Sequence, residues 1–159
     1  MKHELRTEID IEASPEDVWM ILTDLPRYRD WNPFVVSSHG TVAVGQRLTN
    51  RLQPPGGKMR TFKPTVTIVD PPRTFEWLGH LGFPGLVDGR HRFELTATPT
   101  GTHLAQIEHF SGLLVRFIRR SLDEDTAAGF NAMNVALKAR AERRPVERSD
   151  TTSPPGRAS

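Results

Sequence analysis

At 159 residues and 17.9 kDa the chain amounts to one domain, enough to bury about 70% of its unfolded surface without covalent staples. It has no cysteine, which excludes a disulfide scaffold, thiolate metal sites, iron–sulfur clusters and a cysteine nucleophile. The pI is 9.4 although the net charge is only +2, because 17 of the 21 basic residues are late-titrating arginines. Near pH 7 the chain is almost neutral, so non-specific nucleic-acid binding is not expected. The basic clusters Arg116/Arg119/Arg120 and Arg140/Arg143/Arg144 read as a solvated helix face. No apolar run is long enough for an integral membrane segment, and MKHELRTEIDIE lacks the apolar core of a secretory signal. A cytoplasmic location is the expectation.

Residues 2–12 alternate, with His3, Leu5, Thr7, Ile9 and Ile11 on one face and charged residues on the other. That pattern predicts a strand with one wet face. Ser14-Pro15-Glu16-Asp17 then supplies an N-cap, a first-turn proline and acids for the positive end of a helix. Val18, Ile21, Leu22 and Leu25 give that short helix its apolar side, and Pro26 stops it. A second short turn is expected over Arg27–Trp31 before Asn32-Pro33.

From Phe34 the period is two. Strands are expected at 34–38, 46–53, 61–69, 74–81, 89–98 and 102–110, separated by glycine and proline breaks. The short connections suit antiparallel hairpins and leave no room for helical crossovers. Glu76 and His80 fall on the outer face of their strand, opposite Phe75 and Trp77. From Leu113 to Arg144 an apolar stripe (Leu114, Ile118, Leu122, Phe130, Met133, Leu137, Ala141) marks one long helix, with a kink expected near Ser121 or Gly129. Asn131 and Asn134 flank the stripe and are placed outside it. Residues 145–159 are polar and rich in proline and serine, and are expected to form a disordered tail behind a domain of residues 1–144.

A lone amphipathic helix must lay its stripe on the sheet. The expected fold is therefore α+β: a curved seven-stranded antiparallel sheet wrapped around a long C-terminal helix, with two short helices between the first two strands. The opener IEASPEDVWMILTDLPRYRDWNPF, the hairpins DPPRTFEW and HRFELTATPTGTHL, and the closing SGLLVRFIRRSLDEDTAAGFNAMNVALKARAE carry a resemblance. Over about residues 2–143 the chain resembles the SRPBCC superfamily, the helix-grip fold of START lipid-transfer and Bet v 1-like proteins, and within it the bacterial polyketide cyclase/dehydrase-like group. That resemblance implies a cavity between sheet and helix that takes hydrophobic or amphipathic small molecules. It implies no cofactor.

Parity across Pro99-Thr100-Gly101 locates the candidate site. If Ala97 opposes Thr102, then Leu95 opposes Leu104, Phe93 opposes Gln106 and His91 opposes Glu108. His91 and Glu108 then face inward together. The pair is open to three roles: a self-satisfying polar contact, ligand orientation, or general acid–base catalysis. A carboxylate beside the ring is expected to raise the histidine's pKa. Phe75, Trp77, Phe130, Met133 and Leu137 are expected interior, Trp31 and Phe34 at the cavity mouth, and Phe83 on a mobile lip. The histidines show no metal-ligand spacing, and neither a phosphate loop, a dinucleotide fingerprint nor a nucleophile elbow is present. The leading functional expectation is binding of a lipid-like or aromatic small molecule by a monomer or homodimer. The alternatives are a polyketide cyclase/dehydratase-like enzyme using His91 and Glu108, and an adaptor that tethers or assembles a partner enzyme.

Overall fold

The structure, a computed structural model, describes residues 2–143, without the side chains of Lys2, Arg116 and residues 118–123. In chain order the elements are β1 (Lys2–Ile11), α1 (Pro15–Thr23), a 3-10 helix (Leu25–Asp30), β2 (Val35–His39), β3 (Thr49–Leu52), β4 (Arg60–Phe62), β5 (Thr65–Asp70), β6 (Thr74–Leu81), β7 (Val87–Thr98), β8 (Gly101–Ser111) and α2 (Val115–Ala141). The tail expected at 145–159 lies outside the described residues, as do the stripe side chains at 118 and 122.

Ser14 caps α1 as its position predicts: its hydroxyl oxygen accepts from the Asp17 amide at 3.2 Å. Pro26 falls in the first turn of the 3-10 helix, where its missing N–H costs nothing. Tyr28 is buried behind this turn and donates its hydroxyl to the Leu22 carbonyl at 2.5 Å.

All strand pairing is antiparallel. One sheet runs β1-β8-β7-β6-β5 and a second runs β2-β3-β4. Eight strands thus stand where seven are expected, because the predicted strand at 61–69 divides into β4 and β5. Pro64 causes the division, since it lacks the N–H a central strand needs. The two sheets stay joined through the segment before β3. Leu48 donates to the Pro64 carbonyl and Val66 to the Gln46 carbonyl, each at 2.8 Å.

The β7–β8 hairpin has the register that parity predicts, with Ala97 opposite Thr102, Leu95 opposite Leu104, Phe93 opposite Gln106 and His91 opposite Glu108. Continuing across β1 and β6 gives three lateral rows on the inner face. These are Phe75–Phe93–Gln106–Thr7, then Trp77–His91–Glu108–Leu5, then Gly79–Gly89–Phe110–His3.

Helix α2 closes on the first row. Met133 and Leu137 are fully buried. Asn134 is also buried, contrary to its expected place outside the stripe. The reason is polar: it accepts from Gln106 Nε2 at 3.3 Å and donates to Thr7 Oγ1 at 3.0 Å. Asn131 is exposed. The C-terminal end of α2 is tied down as well, with Lys138 Nζ donating to the Asp10 carbonyl at 2.7 Å and the Glu12 amide to Glu142 Oε1 at 2.8 Å. Gly129 has a packing role, because a Cβ there would enter the Phe34 ring.

Glu76 lies on the outer face, where alternation places it, and is fully buried there. Arg90 Nη1 and Thr67 Oγ1 reach Glu76 Oε1 at 2.7 Å, and Arg92 Nε reaches Glu76 Oε2 at 2.6 Å. Desolvation pushes this carboxyl upward, yet the three hydrogen bonds outweigh it and hold the pKa below the usual range. Among the described residues no helix is long and apolar enough to cross a membrane, and no group of three or more metal-ligating side chains converges.

Candidate functional site

Beyond the first row the helix and sheet separate, and a cavity of about 180 Å³ opens. Its floor is the second and third rows: Trp77, His91, Glu108, Gly89 and Phe110. Phe130 and Thr126 of α2 form one side. Phe34, Val35, Asn50, Leu52 and the strand β4 form the other. The exposed side chains of Arg60, Thr61 and Leu81 stand at the rim. Asn50 is held in place by Ser38, whose hydroxyl donates to its Oδ1 at 2.7 Å.

Two glycines shape this space. Gly79 and Gly89 face each other across β6 and β7. A Cβ on Gly79 would strike the Phe62 ring, and a Cβ on Gly89 would strike Glu108 Oε1. The missing side chains let a ring and a carboxyl lie directly on the strand backbone.

Five expected site residues meet in the cavity wall: Phe34, Trp77, His91, Glu108 and Phe130. Phe75, Phe93, Gln106, Met133 and Leu137 instead pack as core beneath or beside it. Trp31 is half-buried and packs against Tyr28, with ring centroids 5.2 Å apart, outside the cavity wall. Phe83 is 62% exposed on the β6–β7 connection and does not belong to the cavity lining. Sequence reading ran β4 into one strand with β5 and left Arg60 just outside it. Gly89 lies two residues before His91 on the same strand, so alternation alone held the signal for that residue.

His91 Nδ1 stands 3.5 Å from Glu108 Oε2, and both side chains are buried. The imidazole lies among three rings, with centroids 4.7 Å from Trp77 and 4.5 Å from both Phe93 and Phe130. Its Nε2 is buried and has no hydrogen-bond partner among the described residues. The expected rise in the histidine pKa is reversed. Burial among aromatic rings pushes His91 down to about 3 and Glu108 up to about 8. In so apolar a setting the cost of stripping water from two charges exceeds their attraction. At neutral pH the pair is therefore a carboxylic acid beside a neutral imidazole. It offers one acidic proton, one ring N–H and one basic ring nitrogen.

An antiparallel sheet gripping one long helix over an apolar cavity defines the helix-grip class, the SRPBCC-type proteins. The chain belongs to the family described as polyketide cyclase / dehydrase and lipid transport, which matches residues 2–142. Among solved structures, protein MLL2253 from Mesorhizobium loti aligns with a TM-score of 0.71 at 25% identity, covering 91% of this chain and 100% of that one. The Zhui aromatase/cyclase from Streptomyces sp. R1128 aligns with a TM-score of 0.75 at 18% identity, over 91% and 96%. The di-domain ARO/CYC BexL aligns with a TM-score of 0.75 at 16% identity, and the chain spans 51% of its length. A search of curated proteins found no match.

Proposed function

We propose that the chain binds a small hydrophobic or amphipathic molecule in the cavity between sheet and α2. One observation carries this reading: an apolar cavity of about 180 Å³ with the carboxyl of Glu108 set in its floor. Space of this kind forfeits packing and is kept where a guest fills it. Membership of a family described by both polyketide cyclization and lipid transport supports the same reading.

Native mass spectrometry of freshly purified protein tests it. A retained small molecule is expected, and Thr126→Trp, which fills the cavity from the helix side, is expected to release it while leaving the fold intact. Equal retention by both proteins places the molecule elsewhere and rejects the reading.

A second reading, a cofactor-free cyclase/dehydratase-like enzyme, is favoured by the neutral acid–imidazole pair. Glu108 can give a proton to a departing hydroxyl, while the unpartnered Nε2 of the neutral His91 can accept a hydrogen bond from a substrate hydroxyl and orient it. Turnover lost in His91→Ala with binding retained would distinguish catalysis from binding.

A further inference from the structure

Among the described residues Glu108 is the one carboxyl in the cavity wall. Its nearest polar contact among the described residues is His91 at 3.5 Å, too long for a strong hydrogen bond. Its Oε1 lies over the bare backbone of Gly89. A buried polar group left in this state costs free energy unless something completes it. Thr67, Arg90 and Arg92 complete Glu76 on the opposite face of the sheet. No such set attends Glu108.

The size of the space narrows what can complete it. A dry apolar cavity of roughly 150 Å³ takes a benzene ring. At about 180 Å³ this one takes a ring with a short substituent, and is too small for a folded multi-ring chain without rearrangement. We propose that the cavity selects uncharged guests of single-ring size and anchors them through one oxygen that accepts a hydrogen bond from the Glu108 carboxylic acid. This inference rests on the binding reading above.

The charged surroundings agree with a neutral guest. From β7 Glu108 meets only the His91 ring, which burial keeps uncharged. From β1 it meets Leu5, with His3 one row away against Phe110. From α2 come Thr126 and Phe130, while Glu124 and Asp125 are exposed. Among the described residues Arg60 is the cation of the lining, and it stands exposed on β4, at the rim. An anion driven to the floor would be desolvated beside a carboxyl that has no cation in contact among the described residues.

Three probes of similar shape test the proposal: acetophenone, ethylbenzene and benzoate, titrated at pH 6 while the Trp77 indole signal is followed by NMR. Acetophenone is expected to bind about fivefold tighter than ethylbenzene, the worth of one modest hydrogen bond. Benzoate is expected to bind at least about tenfold more weakly than acetophenone. Glu108→Gln keeps a donor and should keep the preference for acetophenone; Glu108→Leu should abolish it. Raising the pH to 9 should remove the preference in the wild type, whose carboxyl then ionises, and not in Glu108→Gln. Equal affinity for acetophenone and ethylbenzene overturns the anchor while leaving the cavity a binding site. Tighter binding of benzoate overturns it in favour of Arg60. Failure of all three probes overturns the size class, and the Thr126→Trp measurement then decides the binding reading separately.

Discussion

Glu108 folds its carboxyl onto the backbone of Gly89, in a space that exists only because residue 89 has no side chain. The two residues sit on adjacent strands, one row apart in the register. They are coupled, so a change at one alters the cost of a change at the other.

A double-mutant cycle measures that coupling. Gly89→Ala should cost about 1–3 kcal/mol in urea unfolding, because the new methyl displaces a buried carboxyl. In the Glu108→Ala background the obstacle is gone. There the same substitution should be neutral or stabilising, since alanine suits a strand better than glycine. Additive effects would mean that the carboxyl does not occupy this space.

The buried pair also predicts a pH profile. Glu108 is raised in the fold, from an ordinary 4.5 to about 8. Its contribution is therefore whole below pH 4.5 and is lost as pH rises toward 8. His91 is lowered, from 6.5 to about 3. Its contribution is whole above pH 6.5 and is lost as pH falls toward 3. Between 4.5 and 6.5 the two slopes oppose and cancel. Above 6.5 only Glu108 acts, and stability should fall by up to about 1.4 kcal/mol per pH unit until about pH 8. Urea titrations from pH 6 to 9 should show that decline in the wild type and not in Glu108→Gln. A flat wild-type profile would place the carboxyl in contact with water.

How far the sequence foretold this arrangement depends on range. The register that pairs His91 with Glu108 follows from alternation and one tight turn, both local, and it is found as expected. The direction of the His91 pKa shift differs from the expectation because it depends on Trp77, Phe93 and Phe130. Those rings come from two other elements as well as from β7, and no pairwise rule brings them together. The burial of Asn134 and of Glu76 escapes local rules for the same reason. Each is a polar residue in a polar-looking position, buried because partners distant in sequence complete it: Thr7 and Gln106 for the first, Thr67, Arg90 and Arg92 for the second. Pro64 is the opposite case. Its effect on the strand at 61–69 was legible locally and was outweighed by the alternation around it.

The last prediction concerns Gly129, where helix propensity and packing disagree. In an exposed helix interior, replacing glycine by alanine gains about 1 kcal/mol. Gly129 is buried, and a Cβ there would enter the Phe34 ring. Phe34 is only 6% exposed and meets Phe130 edge-on with centroids 5.8 Å apart, so the ring has little room to yield. Overpacking of this kind costs about 1–3 kcal/mol. Gly129→Ala should therefore leave the protein less stable in urea, or at best unchanged, despite the better helix former. The exposed Asn131 two residues on is the control, and Asn131→Ala should be neutral or stabilising by a few tenths of a kcal/mol, as propensity alone dictates. In a Phe34→Ala background the obstruction disappears, and Gly129→Ala should then recover its helical gain. Phe34 also lines the cavity, so Gly129→Ala should shift guest affinity by moving that ring. If Gly129→Ala stabilises the wild type as much as Asn131→Ala does, Phe34 does not pack on the helix backbone, and the cavity is wider on that side than the structure has it.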